Sequence, residues 1–196
     1  MTFKFAFTLS GFILGSLISS AAMAQDYGLT IGVHQTTATV PNSGSSLPSG
    51  SVSGRLNYDL GLTASFELLP NWRFRSGILY NTRGFDFKPS NASVGTTKFN
   101  FSYVDVPVNV QYNFNQTVGL YGGLIVGVKA SDSVDVPNGA SYSPEMKSLY
   151  PLLNVGANFM FNDMIGFDVY YENGLGDFSK DVTNYQTFGL HFIYWL

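Results

Sequence analysis

From Arg55 to Leu68 the chain alternates without a break. Leu56, Tyr58, Leu60, Leu62, Ala64, Phe66 and Leu68 are apolar, and Arg55, Asn57, Asp59, Gly61, Thr63, Ser65 and Glu67 fall between them. Period two is the signature of a strand with two unlike faces. The run exceeds the roughly 3 to 10 residues usual for soluble strands and covers the roughly 9 to 11 that a tilted strand needs to cross a bilayer.

Seven further segments read the same way. Tyr27 to His34 precedes this strand, with Leu29, Ile31 and Val33 on one side. After it come Trp72, Phe74, Ile78 and Tyr80 opposite Arg73, Arg75, Asn81 and Arg83, and then Val104, Val106, Val108, Val110 and Tyr112 opposite Asp105, Pro107, Asn109 and Gln111. Val118 to Lys129, Leu149 to Phe159, Ile165 to Glu172 and Phe188 to Leu196 complete the set, giving eight strands. An even number suits a closed up-and-down barrel from a single bacterial chain. Beyond residue 24 no run of 18 apolar residues suggests a second helical span.

The connections alternate too. Leu69 to Asn71, Asn113 to Gln116 and Phe161 to Asp163 are short, whereas 37–53, 86–97, 131–147 and 176–183 are long and rich in Ser, Asn, Pro, Gly and Asp. Short turns on one side and long loops on the other are the asymmetry of an outer-membrane barrel with its turns in the periplasm. Phe99, Phe101 and Tyr103 take the parity opposite to Val104. This predicts a bulge near Tyr103 or, the preferred reading, a segment standing beyond the bilayer. Pro107 removes a ladder donor, so a bulge or a water contact is expected there.

Composition sharpens the membrane reading. Charged residues are 12% of the chain against about 25% in ordinary soluble domains, while aromatics reach 16% and Gly occupies 21 positions. With 45% hydrophobic residues the chain is too apolar for disorder, and its net charge of −3 offers no basic surface to nucleic acid. The absence of Cys excludes a disulfide scaffold, a thiolate zinc site and a lipid-anchored lipobox. At the N-terminus, Lys4, the apolar run Phe5 to Ser19 and Ala22-Met23-Ala24 read as a signal peptide, residues 1–24, leaving a barrel domain of residues 25–196 exported to the outer membrane.

The strand charges sort by parity. Arg55, Arg73, Arg75, Arg83 and Lys129, and Asp59, Glu67, Asp105, Asp168 and Glu172, all fall on the polar side. A charged residue facing lipid near the midplane costs roughly 2 to 4 kcal/mol for Arg or Lys, and an eight-stranded interior is just wide enough for side chains to fill. The expectation is a lumen network of these ten residues together with His34 and His191. A soluble lipocalin-like barrel is the main rival, but its water-facing side would carry many Lys and Glu, and it leaves the aromatics unexplained. Tyr27, Trp72, Phe74, Tyr112, Phe159 and Tyr194 fall near the turn side, and Tyr80, Phe85, Tyr171 and Phe188 near the loop side, as two membrane girdles would.

With the strands placed, the sequence resembles the small outer-membrane β-barrel family of Bacteroidetes that includes PorT-like, porin-like proteins. The likeness rests on Gly77 to Phe85, on Tyr103 to Phe114 with its Asp105-Val106-Pro107, and on Tyr170 to Leu175. It implies residence in outer-membrane lipid and insertion by the barrel-assembly machinery. Relatives of this kind end in an aromatic residue, and Leu196 departs from that pattern. Some serve type IX secretion, for which nothing in this sequence speaks.

No catalytic, cofactor or metal site is expected. His34 lies near the outer rim beside a Ser-rich loop, but such loops are Ser-rich anyway, and two histidines without a fixed carboxylate partner most often make interior hydrogen bonds. A structural or interaction module presenting four long loops to an unknown extracellular partner is therefore the first functional reading, and a narrow channel for small solutes the second. Either barrel should migrate differently on SDS gels before and after boiling, and recovery of the protein in the soluble periplasm would refute both.

Overall fold

The alternating segments close on themselves. The computed structural model describes residues 26–39, 50–90, 95–137, 146–179 and 182–196. In it β1 (Asp26–Thr39), β2 (Gly50–Leu69), β3 (Trp72–Pro89), β4 (Thr97–Asn113), β5 (Val118–Asp135), β6 (Leu149–Met160), β7 (Ile165–Gly174) and β8 (Thr183–Trp195) pair antiparallel in sequence order, and β8 returns to β1. The seam runs from Gly28 opposite Trp195 to Thr39 opposite Thr183. Closure gives every strand two partners, which removes the free edges that hydrocarbon cannot satisfy. The proposed signal segment 1–24 and the loop prolines Pro41, Pro48 and Pro144 lie outside the described residues.

Asparagine builds the short turns. Asn71 takes a φ of 68° between β2 and β3, a left-handed conformation that Asn tolerates better than most side chains. In the next two turns the Asn115 side chain accepts from the backbone N–H of Thr117 and Val118, and Asn162 does the same for Met164 and Ile165. Each side chain thereby replaces a backbone acceptor that a tight reversal would leave missing.

The outward face is the apolar one. Leu29, Ile31, Leu60, Leu62, Leu120 and Leu190 are all exposed, and between the aromatic girdles no charged residue of a described strand points outward. This is the inverse of a lipocalin. On the turn side Tyr27, Trp72, Tyr112 and Phe159 are exposed, with the Trp72 and Tyr112 rings 5.0 Å apart; Tyr58, Tyr80, Tyr171 and Phe188 stand on the loop side. Phe85 does not join them. It shares the inward parity of Arg83 and is fully buried.

The strands rise further than the alternation alone indicates. β2 to β5 have 20, 18, 17 and 18 residues, against 12, 10 and 13 in β6 to β8, so the wall is tall on one side. Asp86, Lys88 and Lys98, beyond Tyr80 on β3 or at the loop end of β4, carry charge of outward parity there. Phe99, Phe101 and Tyr103 occupy this extended part and point inward, continuing the parity of Asp105. The expected irregularity lies instead on β5, where Ser102 faces Ser131 but Tyr103 faces Lys129, leaving Ala130 as the extra residue. At Pro107 no register shift occurs. The β3–β4 ladder skips the two positions around it and resumes in the same register, and Ser76 Oγ donates to the Pro107 carbonyl at 2.8 Å.

The Leu60→Arg substitution places a cation in the outward band and should destabilise the barrel by roughly 2 to 4 kcal/mol if Leu60 lies near the bilayer midplane. Urea titration of protein folded in lipid vesicles measures it, with inward-facing Thr63→Ser as the control.

Candidate functional site

The polar parity builds a filled interior in layers. Nearest the turns, Arg73 reaches Asp26 at a broad mouth. Deeper, the Arg75 guanidinium donates to Asp168 at 2.7 Å and to Gln111 at 2.9 Å, and sits 4.9 Å from the Tyr121 ring centre. Asn158 completes this layer by donating to Asp168 at 2.7 Å. Four strands, β3, β4, β6 and β7, are thus tied across the lumen by one ion pair and its amides.

Above it Asp59 is enclosed by side chains from three strands. His34 Nδ1 lies 3.2 Å from one carboxylate oxygen, the Tyr170 hydroxyl donates to the same oxygen at 3.2 Å, and His191 Nε2 lies 3.1 Å from the other. The second nitrogen of His34 stands 3.0 Å from the Thr82 carbonyl, which can only accept, so that nitrogen carries a hydrogen. Space for Asp59 comes from Gly32, where a Cβ would lie 2.3 Å from the carboxylate. Beside this group Arg83 pairs with Asp105 and lies 3.6 Å from Glu172, while Asn81 donates to Asp105 at 2.9 Å. The Arg83 guanidinium is 5.2 Å and 5.4 Å from the ring centres of Tyr103 and Tyr185. All three charged groups are buried, a situation in which pairing and hydrogen bonding must replace water.

An aromatic cap closes the loop end. Phe178, between β7 and β8, is fully buried; it stacks on Tyr185 at 5.1 Å and meets Tyr150 edge-on at 4.7 Å and Phe101 at 5.4 Å. Phe85, Phe87, Phe99, Leu152 and Val182 pack in the same cluster. The Phe178 N–H donates to the Val182 carbonyl at 2.9 Å, which holds the connecting segment folded into the barrel.

The expected residues therefore fall into distinct groups. His34, Asp59, Arg75, Arg83, Asp105, Asp168, Glu172 and His191 meet in the middle of the lumen. Glu67 and Arg73 line its mouth, and Lys129 pairs with Asp132 at 3.2 Å near the opposite end. Arg55 does not enter the lumen. The β2–β3 register shifts between Gly54 and Asp59, and the bulge turns Arg55 to the outer surface, where it meets Asn100 and lies 3.7 Å from Asp86. Both partners have the outward parity of Tyr80. Sequence parity also gives no hint of Asp26, Asp86 and Asp132 as ion-pair partners, because all three sit at strand ends where alternation stops being informative. Among the described residues no cluster of His and carboxylate groups is arranged to hold a metal ion.

A family model described as outer membrane protein β-barrel domain matches residues 23–180. No curated protein matches the sequence. Among solved structures, Neisserial surface protein A is similar at 14% identity and a TM-score of 0.53, with 87% of this chain and 96% of that chain covered. The outer membrane protein OprG from Pseudomonas aeruginosa is similar at 11% identity and a TM-score of 0.50, covering 88% of this chain and 95% of that one. At such identities the likeness concerns the fold.

Arg83→Met leaves Asp105 and Glu172 buried without their cation. The expected loss is about 3 to 5 kcal/mol of stability, read as an earlier urea midpoint of the folded, heat-shifting band.

Proposed function

The chain belongs to the outer membrane protein β-barrel domain family, and from that premise we propose that it acts as a closed-lumen structural or interaction module whose long-loop end meets the exterior. The observation that carries this reading is the double closure of the barrel. Arg83, Asp105 and Glu172 fill the middle, and Phe178 caps the loop end, all at 0 to 3% side-chain or residue exposure. A wall of this height with its top filled offers a rigid rim for recognition. The four long loops supply the contact, and the extracellular partner is unknown.

Export by cleavage after Ala24 and insertion by the barrel-assembly machinery belong to the same proposal, as does placement with the Bacteroidetes PorT-like group on the segments Gly77 to Phe85, Tyr103 to Phe114 and Tyr170 to Leu175. We assign no catalysis. His34, the residue nearest a Ser-rich loop, has one nitrogen against Asp59 and the other against a carbonyl, so neither is left to activate a hydroxyl.

A narrow channel for small solutes is the second reading, favoured by the open mouth at the turn side. Planar-bilayer recordings separate the two. The native protein should give no stable steps, whereas stable single-channel steps would overturn the closed-lumen reading.

A further inference from the structure

On β2 to β5 the outward face changes character beyond the loop-side girdle. Past Leu56, Tyr80, Val104 and Val128 no aliphatic or aromatic side chain points outward on these strands except Ala130, the extra residue of the β5 bulge. Ser51, Ser53, Asn100 and Ser133 take their place, interspersed with the charges of Asp86, Lys88, Lys98 and Asp135. The wall that carries them is tall. Lys88 stands eight residues beyond Tyr80 on β3, about 26 Å along a strand at about 3.3 Å per residue and roughly 20 Å in height at the tilt of a membrane barrel. A phospholipid headgroup layer is only about 5 to 8 Å deep, so the upper rows of this face stand above it.

Two ammonium groups on this face are unmatched. Lys88 and Lys98 are both exposed, and neither forms an ion pair with another described residue. Asp86 faces Lys98 across β3 and β4, which makes Lys88 the diagonal neighbour of Lys98, at a backbone separation of roughly 7 to 8 Å. Like charges so placed repel, and a phosphate between them relieves both. The carboxylates of the same row do not remove this pair: Asp86 lies 3.7 Å from Arg55, and Asp135 faces Lys98 across β4 and β5 without closing an ion pair. With the serines and Asn100 they suit a ligand that brings hydroxyl donors as well as phosphate. A protein partner is poorly matched, because interfaces are anchored by aromatic and apolar side chains that this face lacks. The face also continues directly from the lipid-facing band, so its neighbour is whatever rises from the outer leaflet. Taking the loop end to meet the exterior, as in the reading above, we propose that this face docks the phosphorylated core sugars of lipopolysaccharide, with Lys88 and Lys98 donating to phosphate and Ser51, Ser53, Asn100 and Ser133 bonding the sugar hydroxyls.

Native mass spectrometry of the full-length protein folded in micelles tests this with three lipids. Rough lipopolysaccharide carrying core phosphates should bind with a dissociation constant of about 10 μM or tighter. Lipid A, which lacks the core, and phosphatidylglycerol, which has a phosphate but no sugar, should each bind about tenfold more weakly. The double variant Lys88→Gln and Lys98→Gln should lower the affinity for lipopolysaccharide about tenfold, to that for lipid A, and leave lipid A binding unchanged. Glu67→Gln, at the turn-side mouth, should bind lipopolysaccharide as the native protein does. Heat-shifted migration verifies that each variant is folded. Native affinity in the double variant would overturn the proposal, and so would phosphatidylglycerol binding as tightly as lipopolysaccharide, which would reduce the face to a general anion surface. Binding in micelles depends neither on conductance nor on what the loops recognise, so failure of this site and failure of the closed-lumen reading are separate results.

Discussion

Hydrocarbon can neither hydrogen-bond a peptide group nor solvate a charge, and the rest of this structure answers to that constraint. Backbone groups find partners because the sheet closes from β8 to β1. Side chains answer by parity, with aliphatic residues outward between two aromatic girdles and charges inward. The outward charges on the tall wall, Arg55 in the bulge of β2 with Asp86, Lys88 and Lys98, appear where the strands rise beyond Tyr58 and Tyr80.

Sending charge inward moves the problem without removing it. A lumen of this width has little room for bulk water, so each buried cation must meet a carboxylate and each carboxylate must be held by donors. Arg75 with Asp168, Arg83 with Asp105 and Glu172, and Asp59 between two histidines meet that demand for charge, although Asp59 Oδ1, Asp105 Oδ1 and Glu172 Oε2 accept no hydrogen bond among the described residues. These contacts join strands far apart in sequence, so they set the barrel's cross-section as well as its charge balance. The two ends then differ. Aromatic residues on the tall strands and Phe178 fill the loop side, while the turn side keeps a polar recess.

Strand number, direction and most inward residues were legible because a bilayer imposes period two over long runs. The reading failed where that period breaks or ceases to discriminate. Arg55 lies in the bulge of β2, and a single extra residue reverses the face of its side chain. Phe85 is aromatic, as a girdle residue would be, yet its odd position on β3 puts it inside. Phe99, Phe101 and Tyr103 keep the lumen parity unbroken, but an apolar lumen face is legible only once the cap they pack against is known. At Pro107 the missing donor opens the ladder locally, with no insertion.

By itself the sequence determined the outward face, the count of strands and the residues forced inside, since each follows from local alternation judged against the cost of charge in lipid. Only the tertiary structure decided which carboxylate meets which cation, that two histidines converge on Asp59, that Phe178 closes one end, and that Trp195 lines a recess at the other. Those outcomes depend on strand register and on contacts across the barrel, and no local pattern encodes which residues closure will bring face to face.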